Sequence, residues 1–253
     1  MSFGTIEVRL APPVCYIRLN RPQARNTINR TMVEECRRAL RPEALGPSVH
    51  IVVLVGLPDV FCLGADFDDY AAGGAQEAVA PEALYDLWTE LASGPFVSIA
   101  HVRGKVNAGG VGFVAACDIA LADRSAEFSL SELLFGLHPA CVLPFLIRRI
   151  GAQRAHYMTL TTRPVTVGEA QEWGLVDASA DDSDDLLRKH LLRLRRLSKA
   201  GIGRYKTYMN GLATILTQSR SAAIAANREL FSDPETLEAI RHFAETRRFP
   251  WES

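Results

Sequence analysis

The residues with chemical potential in this chain gather in two glycine-containing loops and around one acid in an apolar run. Phe61-Cys62-Leu63-Gly64-Ala65-Asp66-Phe67 follows one β-branched stretch, and Asn107-Ala108-Gly109-Gly110-Val111-Gly112 follows another. Each glycine costs a helix about 1 kcal/mol relative to alanine, so the second run is not there for helix propensity. It offers backbone that can be approached closely, at a helix start whose free N–H groups point outward. Glycine-assisted helix packing is the plainer alternative. In open parallel sheets ligands gather beyond the carboxyl ends of strands, so both loops can face one pocket. Two amides, at Ala65 and Gly109, would then stabilise an enolate or a tetrahedral oxyanion.

The acid is Glu132, alone in Phe128-Ser129-Leu130-Ser131-Glu132-Leu133-Leu134-Phe135-Gly136. Burial raises the pKa of a lone carboxyl toward the range useful for proton transfer, and a salt bridge to an arginine is the alternative. Asp66, directly after the first glycine loop, suits a capping or turn role. His138 beside Pro139 reads as a packed or solvated loop residue. Ser129 and Ser131 lie outside any G-x-S-x-G elbow, and no cysteine has an evident histidine partner, which disfavours acyl-enzyme chemistry. The glycines match neither the dinucleotide-binding nor the Walker spacing. Six histidines are scattered singly, without metal-ligand spacing. Neither a metal nor another cofactor is expected.

The elements that must position these residues follow from the apolar pattern. Thr5 to Leu10 and Val14 to Leu19 read as two strands, and His50 to Gly56 and Phe96 to Val102 as strands covered on both faces. Ile119 to Ala122 and Glu127 to Ser129 are short strand candidates. Helices are expected near Arg30 to Leu40, from Pro81, and at Ala152 to Leu160, Val167 to Trp173, Asp184 to Leu197, Arg204 to Leu216, Ala222 to Phe231 and Pro234 to Thr246. The segment from Asp68 to Ala80, with Gly73-Gly74, reads as mobile. Strand–helix alternation followed by a helical tail indicates an α/β protein with a parallel-sheet core.

With 253 residues, 48% of them hydrophobic, and 28 basic against 29 acidic side chains, the chain suits one large α/β domain or a core with an appendage. The near-neutral balance argues against a dedicated nucleic-acid binder. Five dispersed cysteines without a CxxC pair read as buried thiols of a reducing compartment. No signal peptide and no membrane-spanning run is evident, so a cytoplasmic location is expected. The basic run Arg188-Lys189-His190, Arg193, Arg195-Arg196, Lys199, Arg204 and Lys206 reads first as the solvated face of a helix with Leu191, Leu192, Leu194 and Leu197 inward. It would also suit an acidic partner surface or a phosphate.

Arg21-Pro22, Asn26-Thr27, Phe61, Gly64-Ala65-Asp66, Gly104, Gly109-Gly110, Cys117-Asp118, Glu132, Gly136 and Pro139 stand in an order and spacing that resemble the crotonase (enoyl-CoA hydratase/isomerase) superfamily over almost the whole chain. The resemblance implies a ββα-spiral core (1–198) with a C-terminal α-helical trimerisation region (199–253), assembled as a homotrimer or hexamer. It implies a thioester carbonyl held by the amides of Ala65 and Gly109, and substrate contacts at Arg25, Leu63 and Tyr85. Ordinary hydratases carry two glutamates. The first falls on Gly112 and is lost, and the second matches Glu132. In NAGGVGFVAACDIALAD, FSLSELLFGLHPACVLPFLIRRIG, LYDLWTEL, LLRKHLLRLRRLSKAGI and RRFPW the chain is similar to the dehydratases of polyketide β-branching cassettes, which act on a substrate bound to acyl carrier protein.

That resemblance implies a hydro-lyase that dehydrates 3-hydroxy-3-methylglutaryl-acyl carrier protein to 3-methylglutaconyl-acyl carrier protein. Glu132 is then the base at the α-carbon. The leaving hydroxyl takes its proton from Glu132 itself or from a second acid, with Asp66 first, then Tyr85 and His138. The rival readings are a CoA-thioester hydratase or isomerase, the sister decarboxylase, and a catalytically silent binding protein.

Overall fold

A computed structural model describes residues 3–68, 79–249 and 251–252. The glycine-containing stretch around Gly73-Gly74, expected to be mobile, lies outside the described residues. The first sheet is built from β1 (Ile6–Ala11), β2 (Val14–Leu19), β3 (Ile51–Val55), β5 (Val97–Val102), β7 (Ile119–Ala122) and β10 (Ala178–Ser179), in the order β1-β2-β3-β5-β7-β10. Only the β1–β2 pair is antiparallel. A second sheet runs β4 (Val60–Cys62), β6 (Lys105–Asn107), β8 (Glu127–Ser129) and β9 (Val165–Thr166), parallel except for β9.

The unbroken apolar run of β3 is explained by cover on both faces. Val52 and Leu54 enter the main core with α1 (Arg30–Leu40), α3 (Pro81–Ser93) and α4 (Gly109–Ala116). Ile51 and Val53 meet Leu187 and Leu191 of α8 (Ser183–Leu194) on the other side. Between α1 and α3 lies the single turn α2 (Pro42–Leu45), and α5 (Leu143–Ile150), α6 (Ala152–Thr161) and α7 (Val167–Trp173) precede α8. The chain closes with α9 (Lys199–Leu212), α10 (Ile215–Leu230) and α11 (Pro234–Thr246). Leu216 and Ala223 of α10 are buried in the same core as the strands.

Two helix starts differ from expectation. Ser198 accepts from the Gly201 amide and so begins α9 at Lys199, five residues before Arg204. The chain breaks at Ala213, and α10 starts seven residues ahead of Ala222. Within the basic segment only part of the expected inward face is inward. Leu191 is buried, whereas Leu192 and Leu197 are 53% and 46% exposed. Lys206 leaves the basic surface altogether: its ammonium is buried, ion-paired with Asp118 at 2.7 Å and donating to the carbonyls of Leu91 and Phe96.

Candidate active site

The segment between β2 and α1 is fastened before any substrate arrives. Asn26, fully buried with φ +55°, accepts from the Arg21 amide and donates to the carbonyls of Leu19 and Phe61. Arg21 in turn donates to the Thr27 carbonyl at 2.6 Å and to the Asp66 carboxylate at 2.7 Å. Thr27 gives its hydroxyl to the same carboxylate oxygen at 2.7 Å. The Ile28 amide donates to the Gly64 carbonyl and the Asp66 amide to the Ile28 carbonyl, so the first glycine loop is clamped to the start of α1.

The two glycine loops touch. Gly64 has φ +86°, and a methyl group there would lie 2.6 Å from the Ala108 Cβ and 3.3 Å from the Gly109 nitrogen. Ala108 itself is held at φ +51°, ψ −120°, an uncommon conformation for a residue with a side chain. The strain turns the chain sharply from β6 into α4, whose first residue is Gly109. Beside this junction opens a cavity of about 1310 Å³ lined by Arg25, Leu63, Ala65, Asp66, Gly109, Glu132 and His138, among others.

Glu132 sits at the start of a short 3₁₀ turn, Glu132–Phe135. Its Oε2 is buried and has no hydrogen-bond partner among the described residues. Burial pushes the carboxyl up to about 7 from an ordinary 4.5, with its own backbone amide pulling weakly the other way. No arginine pairs with it among the described residues, which removes the salt-bridge reading. The wall beyond it is aromatic: Phe135 packs edge-on against Phe67 and Phe243, at 5.2 and 5.1 Å between centroids. At the rim Arg247 pairs with Asp68 and Arg228 with Glu82.

Gly112, one turn into α4, faces α3. A Cβ on it would lie 2.5 and 2.6 Å from the Trp88 ring. That indole is 1% exposed and wedged edge-on by Phe113 and Phe145. The space a longer side chain at position 112 would need is therefore filled by tryptophan, which also borders the cavity. The apolar spacing of α3 announces Trp88 as core, and its second role has no signature in the sequence.

Two expected acids are elsewhere engaged. Tyr85 is fully buried, does not line the cavity, and donates its hydroxyl to the Leu216 carbonyl at 2.6 Å. Its phenol is pushed up to about 12 by burial, so it serves as an anchor between α3 and α10 rather than as a substrate contact or acid. Asp66 reaches the cavity, but its carboxylate accepts from a guanidinium and a hydroxyl, with side chains 9% and 6% exposed in the ion pair. A carboxylate so engaged is an acceptor and a loop clamp. Of the thiols, Cys141 lines the cavity; burial pushes it up to about 12 and it donates weakly to the Ala223 carbonyl, so it is no nucleophile. None of the residues in the basic run lines the cavity. No cluster of three metal-ligating side chains occurs among the described residues, and no helix among them is long and apolar enough to cross a membrane.

The pattern of the enoyl-CoA hydratase/isomerase family matches residues 11–253. The bacillaene synthase dehydratase PksH of Bacillus subtilis is 56% identical over 255 residues, covering 100% of this chain and 98% of that protein. A crystal structure of a polyketide biosynthesis enoyl-CoA hydratase (pksH) from Bacillus subtilis superposes with a TM-score of 0.94, over 98% of this chain and 100% of that one. The mevalonyl-coenzyme A hydratase sidH of Aspergillus fumigatus is 29% identical over 251 residues, covering 95% of this chain and 92% of that protein.

Proposed function

The chain belongs to the enoyl-CoA hydratase/isomerase family and is a hydro-lyase of the polyketide-dehydratase kind, and from that premise we propose that it dehydrates 3-hydroxy-3-methylglutaryl-acyl carrier protein to 3-methylglutaconyl-acyl carrier protein. One observation carries the reading. Glu132, whose Oε2 has no hydrogen-bond partner among the described residues, lines the cavity beside the two touching loops, and the position of a second carboxyl, Gly112, is closed by Trp88. Hydration of an enoyl thioester through water held between two carboxylates finds no second carboxylate at position 112. The name of one relative, a mevalonyl-coenzyme A hydratase, fits a branched 3-hydroxyacyl substrate, since a mevalonyl group carries hydroxyl and methyl on the same β-carbon.

In the proposed mechanism the amides of Ala65 and Gly109 donate to the thioester oxygen. Each such donor is worth about 3 kcal/mol to a developing oxyanion. The Glu132 carboxylate takes the α-proton, and the charge moves onto that oxygen as an enolate. The enolate collapses, the β-carbon–oxygen bond breaks, and the proton just taken by Glu132 goes to the departing hydroxyl. Water leaves and Glu132 is again a carboxylate. A carboxyl near 7 serves both halves of this cycle, because it is readily present in either form. With Asp66 and Tyr85 committed to structural hydrogen bonds, the proposal is a syn elimination through Glu132, and His138, on the cavity wall, is the remaining candidate for a second acid.

Arg25 and Leu63, both bordering the cavity, are the proposed contacts for the pantetheine-linked substrate. Arg195 and Arg196, exposed between α8 and α9, offer positive charge to an acidic carrier protein. A homotrimer or hexamer formed through the C-terminal helices, and a cytoplasmic location, complete the reading. Intact-protein mass spectrometry of hydroxymethylglutaryl-carrier protein after incubation tests it. Loss of water is expected. Loss of carbon dioxide would instead make the chain a decarboxylase, and no change of mass would leave it a binding protein.

A further inference from the structure

Next to Glu132 lies a serine whose hydroxyl is unaccounted for. Ser131 occupies the residue before the 3₁₀ turn, where serine ordinarily accepts from an amide of the first turn, yet it makes no such bond. Its Oγ accepts instead from the Asn107 side-chain Nδ2 at 2.8 Å. Asn107 is oriented from its other end: Oδ1 accepts the Ser129 hydroxyl at 2.8 Å. Asn107 and Ser129 face each other across the β6–β8 ladder, and the Ala108 amide donates to the Ser129 carbonyl at 3.0 Å. The three side chains are thus fixed to the same strand ends that present Gly109. All three line the cavity.

The proton count within this chain of bonds is informative. Ser129 spends its proton on Asn107, Asn107 spends one on Ser131, and Ser131 receives without giving. Its hydroxyl hydrogen has no acceptor among the described residues, and the side chain opens on the cavity. A buried or half-buried donor left without an acceptor is unfavourable, and it becomes favourable when a ligand oxygen fills the place. The network is built like a preorganised donor, not like a cap.

We infer that Ser131, oriented by Asn107 and Ser129, donates a hydrogen bond to the β-hydroxyl of the substrate as that group departs. The inference rests on the dehydration proposed above and supplies the group that meets the leaving oxygen. Ser131 transfers no proton. It stabilises the negative charge that grows on oxygen as the carbon–oxygen bond breaks, while Glu132, protonated by the α-carbon, delivers the proton that completes water. Serine ends as it began.

Two leaving groups separate this role from a general one. Ser131→Ala and Glu132→Gln are compared with the native enzyme on a 3-hydroxyacyl thioester and on its 3-chloro counterpart, whose chloride departs without a proton. Ser131→Ala is expected to lower turnover of the hydroxy substrate by about tenfold to a hundredfold at nearly unchanged KM, with chloride elimination within about twofold of native. Ser131→Thr, which keeps the hydroxyl, is expected to restore most of the loss and shows that the fold tolerates the position. Equal losses on both substrates, or no loss on the hydroxy substrate, would overturn the role of Ser131. Glu132→Gln is expected to abolish both eliminations; if it does not, the assignment of the base fails, whatever Ser131→Ala does.

Discussion

Replacing Glu132 by glutamine removes a charge that the native cavity holds at a penalty, so the variant should gain stability in a defined pH window while losing turnover. Native Glu132 is raised to about 7 from an ordinary 4.5 by burial. Below pH 4.5 the carboxyl is protonated whether the chain is folded or not, and the penalty is absent. Between about 4.5 and 7 the unfolded chain releases its proton while the native state keeps it, so native stability falls as pH rises. Above 7 both states are ionised and the full penalty has accumulated, on the order of 3 kcal/mol as an upper figure, since part of the group reaches the cavity. Glutamine has nearly the same shape and no titration. The stability difference between Glu132→Gln and the native protein should therefore widen by up to about 3 kcal/mol between pH 4.5 and pH 8, read by urea denaturation across that range. Over the same range native kcat/KM should climb through a midpoint near 7, because only the ionised form can take the α-proton. A stability difference that stays constant with pH would show that Glu132 is not desolvated, and the reasoning from burial to base would fall with it.

Two further outcomes follow from contacts outside the acid. Gly112→Ala improves helix propensity by about 1 kcal/mol, yet it should lower stability by about 1–3 kcal/mol in thermal denaturation, because the new methyl meets the wedged Trp88 ring; a raised Tm would mean the ring gives way. Asp66→Asn removes the carboxylate that Arg21 and Thr27 share and should cost about 3–5 kcal/mol in urea denaturation, with turnover of the folded fraction retained; turnover lost at unchanged stability would favour Asp66 as the acid.

What the sequence discloses about this fold is what local pattern carries. The unbroken IVVLV of β3 announces a strand covered on both faces, and α1, α7 and α11 stand where apolar spacing puts them. The two glycine loops and the lone acid are also legible, because glycine and an isolated carboxylate are conspicuous in apolar surroundings. The errors share one cause. Tyr85 reads as a cavity residue until its hydroxyl is found on the carbonyl of Leu216, 131 residues away, and the partner of Asp66 is hidden until Arg21 arrives from 45 residues upstream. Lys206 reads as part of a basic surface until Asp118 takes it inward from 88 residues away. A polar side chain declares its type in the sequence, but its partner is chosen by topology.

Gly112 shows the same limit from the opposite side. Its identity tells that one carboxylate of the family pattern is missing, and the tempting conclusion is an enlarged, empty site. Trp88 contradicts that picture: the indole of α3 lies where a side chain at 112 would stand, so the loss of an acid coincides with a gain of apolar volume. Glycine at 112 gives a hydrating water no carboxylate to bind there, while burial raises Glu132. Restoring glutamate at 112 alone therefore cannot restore two-carboxylate chemistry, because the ring must leave first. Under the proposed mechanism Glu132 carries the proton through both steps, and a second carboxyl at 112 is not required.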